Sequence, residues 1–160
     1  MSLTLKELIK IGQTQLEEAG VADAAIDAKE LYCFMMGYDK VALMMHWQDV
    51  LQDNQCEVYF DLVQRRAQRT PLQHITGAQE FMGLSFYVNE HVLIPRQDTE
   101  TLVELVLQEQ QEPEKKLLDL CTGSGCIAIS LAVKGGYRSV TATDLSEEAL
   151  KVAERNAKMH

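Results

Sequence analysis

The sequence predicts a two-part fold of the α + α/β class: a small helical bundle, then a β-hairpin and the first part of an α/β domain. Three observations predict it. Residues 1–70 carry apolar side chains at helical spacing. In residues 71–97 apolar and polar side chains alternate, as in β-strands, and turn residues separate the runs. Within residues 98–160, the stretch Leu117–Asp144 is two apolar runs, each ending in an acid, around a glycine-containing turn and a helix. These three ranges are the expected helical domain, hairpin linker and start of an α/β domain.

Four amphipathic helices are predicted in the bundle. The first ends at Gly20, the second covers about 23–36 and stops at Gly37, and the third covers about 40–47. The fourth begins near Asp53, which is a good N-cap residue. Its apolar face comprises Cys56, Tyr59, Phe60, Val63 and Ala67.

A group of basic side chains, Arg65, Arg66 and Arg69, lies at the end of the fourth helix. Positive charge is favoured at a helix C-terminus, so the first interpretation is a solvated face. A contact with a substrate is the alternative.

The elements after the helical bundle are predicted from the alternation of apolar and polar residues and from residues that cap helices. Pro71 breaks the helical pattern, and two strands around 81–88 and 92–94 are expected to join through Asn89-Glu90. Asp98 or Thr99 is expected to cap the next helix. The remaining elements are a strand over 116–121, a helix over 125–133, a strand over 139–143 and a helix capped by Ser146.

The turn between the first strand of the α/β part and its helix is predicted to bind a nucleoside. Gly123 and Gly125 allow the backbone to approach a ligand closely because they lack Cβ. The helix that follows directs unpaired N–H groups toward the turn. Asp144, about 20 residues later, is placed to accept hydrogen bonds from ribose hydroxyls.

Two cofactors fit this turn. Residues 123–128 read G-x-G-x-x-A, which is also a dinucleotide fingerprint and therefore leaves NAD open. Asp119 favours a cationic ligand just before the turn, and S-adenosylmethionine (SAM) carries a sulfonium and an ammonium group. SAM is therefore the favoured cofactor, although Asp119 serving only as a cap of the turn remains an alternative.

Composition limits the other classes of function. The net charge of −9 disfavours non-specific nucleic-acid binding, which depends on neutralising phosphates. The four cysteines form no C-x-x-C pair and the four histidines are scattered, so we expect buried thiols, no metal site and no catalytic histidine. Apolar runs are too short for a membrane span and no leader pattern is visible, so the cytoplasm is the expected compartment.

Residues 71–104, PLQHITGAQEFMGLSFYVNEHVLIPRQDTETLVE, strongly resemble the release factor glutamine methyltransferase (HemK-type) family. The matching positions are Pro71, His74, Gly77, Glu80, Phe81, Val88, Leu93, Ile94, Pro95, Arg96, Thr99 and Glu100. Residues 119–130, DLCTGSGCIAIS, resemble the SAM-binding motif of this family, and Ile26-Asp27-Ala28 resembles part of its small substrate-recognition domain. Many SAM enzymes have glycine where Cys121 stands, and we expect Cys121 to keep a negative φ.

The resemblance implies a Rossmann-like class I SAM-methyltransferase domain and methyl transfer to the side-chain amide of the glutamine in the Gly-Gly-Gln loop of peptide chain release factors. The release factor would be the protein partner. The implied SAM site is Asp119, Thr122, Gly123, Ser124, Gly125, Cys126 and Asp144, bordered by Pro95, Arg96 and Thr99. Two alternatives remain: a nucleic-acid amine methyltransferase and a non-catalytic module that binds a release factor.

The catalytic motif of the family, Asn-Pro-Pro-Tyr, does not occur in the 160 residues, so no catalytic residue is assigned. A methyltransferase sheet has about seven strands, of which the sequence predicts two. The expectation is a truncated chain, inert by itself, that holds the N-terminal domain, the linker and the first third of the catalytic domain. Its first strand would keep an unpaired edge, so self-association is expected.

Overall fold

The computed structural model describes residues 3–109 and 112–160. The chain divides into two compact units, Met1–Thr76 and Gly77–His160. In its described part the first unit is helical, as expected. Its helices are α1 (Leu5–Glu18), α2 (Ala24–Met36), α3 (Lys40–Met45), α4 (Asp53–Ala67) and α5 (Leu72–Thr76).

The ends of these helices follow local capping chemistry. Thr4 and Glu7 form a capping box at the start of α1, and Gly37 ends α2 with φ 66°. The prediction that Asp53 is the N-cap of α4 is wrong. The cap is Gln52, whose N–H donates to Gln55 Oε1 at 3.0 Å, and Asp53 is the first helical residue, where its charge suits the helix dipole.

Two other boundaries differ from the sequence prediction. Helix α3 ends at Met45, two residues before the expected end. A helix directly follows Pro71: α5 begins at the next residue, and the Pro71 carbonyl accepts hydrogen bonds from its N–H groups. The fixed φ of proline suits the start of a helix.

The core of the first unit lies between α1, α2 and α4. Leu8, Leu31, Tyr59 and Val63 are fully buried there. The Tyr59 hydroxyl donates to the Ala28 carbonyl at 3.0 Å, and burial raises the pKa of Tyr59. The apolar face predicted for α4 is therefore the face that packs.

The basic group at the end of α4 is solvated only in part. Arg66 pairs with Asp27 on α2, with 2.6 Å between Nε and Oδ2, and the Asp27 side chain is only 7% exposed. Arg69 donates to the Gly20 carbonyl at 3.1 Å. Arg65 and Arg69 are exposed, as predicted, whereas Arg66 is half-buried. Arg66 and Arg69 hold α4 to the preceding helices, and sequence alone does not reveal such long-range partners.

The second unit starts with a hairpin and continues into an α/β segment. Its elements are β1 (Ala78–Phe81), β2 (Leu84–Tyr87), α6 (Gln97–Glu109), β3 (Lys116–Leu120), α7 (Cys126–Gly135), β4 (Ser139–Thr143) and α8 (Glu147–Met159). Helix α6 begins before Asp98 and Thr99, so neither residue is its N-cap. Both lie in its first turn, where the negative charge of Asp98 is favourable.

The hairpin has a different turn from the predicted one. Strands β1 and β2 are antiparallel and turn at Met82-Gly83, where both residues have positive φ (53° and 68°). Such a pair matches the twist of a two-residue hairpin. Asn89 instead accepts the His91 N–H at 3.1 Å, which is a local turn, and residues 92–94 form no strand.

Strands β3 and β4 are parallel, with Leu117 opposite Val140 and Leu120 opposite Thr143. Helix α7 joins them and packs on the sheet, with Ile129 and Leu131 in the core. Among the described residues β3 pairs with β4 alone. The side chains of Leu118 and Leu120, which point to the other face, are 61% and 67% exposed.

None of the described helices has both the length and the apolar composition that a membrane span requires. No group of three or more His, Cys, Asp or Glu side chains within 3–109 and 112–160 is placed to hold a metal ion.

Candidate functional site

The glycine turn, residues Cys121–Gly125, connects the end of β3 to the start of α7. Three of its residues have positive φ: Cys121 at 60°, Gly123 at 55° and Gly125 at 81°. The expected negative φ of Cys121 is therefore wrong. The left-handed conformation suits glycine, and cysteine adopts it here because the neighbouring peptides are fixed by hydrogen bonds.

Backbone hydrogen bonds fix the glycine turn on the side of β4. The Thr122 N–H continues the sheet by donating to the Thr143 carbonyl at 2.9 Å. The Gly125 N–H donates to the Thr122 carbonyl at 2.9 Å, and the Gly125 carbonyl accepts the Ile129 N–H of α7 at 2.9 Å. These three bonds use both backbone groups of Thr122 and of Gly125, which fixes these two residues relative to β4 and α7.

Asp144 follows β4 and holds the glycine turn directly. Its Oδ2 accepts the Gly123 N–H at 2.9 Å, and its Oδ1 accepts the Ser146 N–H at 3.0 Å. The backbone N–H groups of Ser146 and Gly123 lower the pKa of Asp144 below its usual value. Asp144 is therefore ionised at neutral pH, and each carboxylate oxygen keeps a further lone pair for a hydroxyl donor.

Asp119 lies on β3, before the turn, and is half-buried. Its Oδ2 accepts the Thr122 hydroxyl at 2.7 Å. This is the capping role that the sequence left open as an alternative. Two carboxylates, Asp119 and Asp144, therefore flank the glycine turn, one from each strand, and give it negative charge.

The other predicted cofactor-binding residues lie in the glycine turn or at the start of α7. Thr122, Ser124 and Cys126 are 6%, 2% and 8% exposed, so these three residues are buried and shape the turn from within. Burial raises the pKa of the Cys126 thiol, which packs in the core. At Gly123, the space that a Cβ would occupy has no atom within 4 Å.

The proposed border residues lie apart from these hydrogen bonds. Pro95 is buried and Arg96 is exposed, and the Thr99 N–H donates to the Arg96 carbonyl at 3.0 Å, at the start of α6. In the described part of the chain no hydrogen bond joins them to the glycine turn. Their place at the border of a cofactor site stays a prediction.

Sequence analysis missed Asn156, which is fully buried on α8. It bonds both to Tyr87 of β2 and to the Ser124 carbonyl of the glycine turn. A signal was available: Ala149, Val152, Ala153 and Asn156 form one helical stripe, and an amide on an apolar stripe needs buried partners.

Cys121→Gly is expected to stabilise the second unit. The left-handed conformation costs an L-residue about 1–2 kcal/mol, and glycine loses about 0.5–1 kcal/mol of this gain through the entropy of the unfolded chain. The expected net gain in unfolding free energy is about 0.5–1 kcal/mol, measured by urea titration. Cys121→Ala removes the thiol but keeps the strain, so an equal gain in that control would contradict the explanation.

The family comparisons match both units of the chain. Residues 7–77 match the model of the PrmC N-terminal domain. Residues 97–160 match the model of ribosomal protein L11 methyltransferase (PrmA).

Individual relatives match along most of the chain. It is 38% identical to a release factor glutamine methyltransferase of Geobacter sulfurreducens over 157 residues, which cover 98% of the chain and 55% of that protein. A release factor glutamine methyltransferase of Leptospira interrogans is 37% identical over 94% of the chain, and the alignment covers 53% of that protein. One of Koribacter versatilis is 38% identical over 97% of the chain, and the alignment covers 56% of that protein.

The chain spans about half the length of the curated relatives it matches. The matched region includes the helical unit, the hairpin and the glycine turn. Because release factor glutamine methyltransferases align with 94–98% of it at 37–38% identity, the chain belongs to the release factor glutamine methyltransferase family.

Proposed function

We propose that the protein transfers a methyl group from SAM to the side-chain amide nitrogen of the glutamine in the Gly-Gly-Gln loop of a peptide chain release factor. The observation that carries this proposal is the alignment of release factor glutamine methyltransferases along 94–98% of the chain. The cytoplasm, where translation ends, is the proposed compartment.

The glycine turn supports SAM as the cofactor. When bound, SAM supplies a methyl group on a positively charged sulfur. Asp119 and Asp144 bring negative charge to the turn, and Gly123 leaves open space beside its backbone. The lone pairs of Asp144 that the backbone leaves unused suit ribose hydroxyls, and the remaining residues of the proposed site contribute backbone and turn geometry.

The catalytic demand is mainly one of positioning. An amide nitrogen is a weak nucleophile because its lone pair is delocalised, so it must be held in line with the methyl group. The family motif Asn-Pro-Pro-Tyr, which would accept the amide N–H groups, is absent from the 160 residues. We infer that this chain holds the cofactor and contacts the release factor through its helical unit, and that transfer requires the remaining length of the relatives.

The match of the second unit names another substrate, ribosomal protein L11, which gives a second candidate. Residues 97–160 match a model named for a methyltransferase of ribosomal protein L11, whereas residues 7–77 match a model of the PrmC N-terminal domain. Relatives named release factor glutamine methyltransferase align across both units, which favours a release factor, and ribosomal protein L11 is the substrate to compare.

A methylation assay tests the proposal. The protein at the full length of its relatives, methyl-labelled SAM and intact release factor should give label in the release factor, and none when the loop glutamine is alanine. Ribosomal protein L11 should remain unlabelled. Label in L11 alone, or binding of the release factor without transfer, would overturn the proposed activity.

The 160-residue chain alone should bind S-adenosylhomocysteine and transfer no methyl group. It should also self-associate, because Leu118 and Leu120 are exposed beside the free edge of β3. Light scattering measures the association. A clean monomer that transfers methyl groups would refute both expectations.

Asp144→Ala should weaken binding of S-adenosylhomocysteine about tenfold, because one charge-assisted acceptor and the anchor of the Gly123 N–H are both lost. Calorimetry provides the measurement. The stabilising effect of the ionised Asp144 is full above its unfolded pKa of about 3.9 and is lost as pH falls through its lower folded pKa. Asp144 therefore stays ionised between about pH 5 and 8, and its titration should not change wild-type affinity in that range.

The matched control for this change is Glu147→Ala, which removes a nearby exposed acid from the first turn of α8. Its affinity should stay within about twofold of wild type, since surface changes have small effects. Equal losses in both variants would indicate a general charge effect and remove Asp144 from the site.

A further inference from the structure

Asn156 is a buried amide whose side chain bonds to three backbone groups. Its Oδ1 accepts the Tyr87 N–H at 2.7 Å, while its Nδ2 donates to the Tyr87 carbonyl at 2.9 Å and to the Ser124 carbonyl at 2.8 Å. The residue is 0% exposed. Both amide hydrogens and an oxygen lone pair are therefore used, with no water able to replace them.

The two bonds to Tyr87 are those that a neighbouring β-strand would make. A primary amide presents a donor and an acceptor in the same arrangement as a peptide group. The Asn156 side chain thus pairs with Tyr87 of β2 in the way that a peptide group of a neighbouring strand would. The adjacent residue strengthens this contact, because the guanidinium of Arg155 lies 3.6 Å from the centre of the Tyr87 ring.

The third bond acts on the glycine turn. The peptide between Ser124 and Gly125 is held at both ends: its carbonyl by Asn156 and its N–H by the Thr122 carbonyl at 2.9 Å. A peptide fixed in this way cannot rotate, so the turn keeps its positive φ at Gly125 and the direction of its free backbone groups.

We propose that Asn156 is a positioning residue that holds the glycine turn in its ligand-binding conformation and couples it to the hairpin β1–β2. The inference rests on the proposed function for the identity of the ligand. The ordering of the turn by Asn156 does not depend on the identity of the ligand, because it follows from the three hydrogen bonds.

Asn156→Asp tests the role with almost no change in shape. At pH 8 the carboxylate can accept the Tyr87 N–H but faces two carbonyls with no hydrogen to donate. Binding of S-adenosylhomocysteine should fall about tenfold or more. Burial raises the pKa of such a carboxyl, so affinity should recover as pH falls to about 5.5, because the protonated group regains one donor.

Val152→Ala is the control for a loss of stability without a polar change. Val152 is buried on the same helix, in a cluster with Val88, Val92 and Ala149. The variant should lower the urea midpoint and leave affinity within about twofold at both pH values. If Asn156→Asp does not fold, Asn156→Ser provides one uncharged donor and should weaken binding at both pH values without recovery.

Amide exchange provides a measurement that does not need a ligand. In Asn156→Asp at pH 8, protection of the Gly125 N–H should fall about tenfold relative to amides of α7, because the Ser124–Gly125 peptide loses the bond at its carbonyl. In Val152→Ala this ratio should stay constant. Wild-type affinity in Asn156→Asp at pH 8, or unchanged protection, would overturn the role of Asn156. Failure of the wild-type chain to bind S-adenosylhomocysteine would instead overturn the proposed cofactor, while exchange would still decide whether Asn156 orders the turn.

Discussion

Replacing Gly123 by valine is expected to abolish binding of S-adenosylmethionine. Gly123 has φ 55°, a conformation that costs an L-residue about 1–2 kcal/mol and costs more for a β-branched side chain. The side chain would also fill the open space beside the turn, where no protein atom lies within 4 Å. We therefore expect affinity to fall more than about 100-fold, measured by calorimetry.

Gly136→Val is the matched control for backbone strain. Gly136 has φ 65° and open space around it, and it ends α7 at the opposite end from the glycine turn. Both variants should lower the urea midpoint of the second unit by similar amounts, while only Gly123→Val should lose the cofactor. Normal binding by Gly123→Val would show that this turn does not hold the cofactor.

The elements of the α/β segment were predictable because their signals are local. Strand β4 has the predicted bounds, 139–143, and Ser146 caps α8 through the Ala149 N–H at 3.1 Å. The α2 stop at Gly37 also followed from sequence, since glycine accepts the left-handed conformation there. Periodicity, glycine and a capping hydroxyl each act within a few residues, so the sequence shows them directly.

The hairpin turn was missed because Met82, its first residue, adopts a positive φ that its residue type does not predict. Met82 is an unusual residue at φ 53°, and the Asn-Glu pair further on appeared more typical of a turn. The Met82 N–H donates to Glu100 of α6, 18 residues away, at 2.5 Å. Packing of Phe81 against Phe86 across the two strands further fixes the register.

The candidate site was predicted as a set of positions, and the structure adds its hydrogen bonds. Asp119 and Asp144 were expected to face a ligand, and both also hold backbone or hydroxyl groups of the turn. The apolar stripe of α8 marks Asn156 as buried, but its partners lie 32 and 69 residues away and required tertiary information. The positive φ of Cys121 likewise has no signal in the sequence.

Arg66→Met is expected to destabilise the helical unit by about 3 kcal/mol, the typical cost of removing one partner of a buried ion pair. The Asp27 carboxylate is 7% exposed and would lose the Nε bond at 2.6 Å. The position of Asp27 in the first turn of α2 offsets part of the cost, because negative charge is favourable there. Urea unfolding, followed by circular dichroism, measures the loss.

Two variants separate the lost pair from the lost arginine side chain. Arg65→Met changes an exposed neighbour on the same helix and should alter stability by less than about 0.5 kcal/mol. Adding Asp27→Asn to Arg66→Met removes the buried charge and should restore part of the loss, whereas independent sites would give additive losses. A loss in Arg65→Met as large as in Arg66→Met would mean that the basic end of α4 acts through its total charge, not through the contact with Asp27.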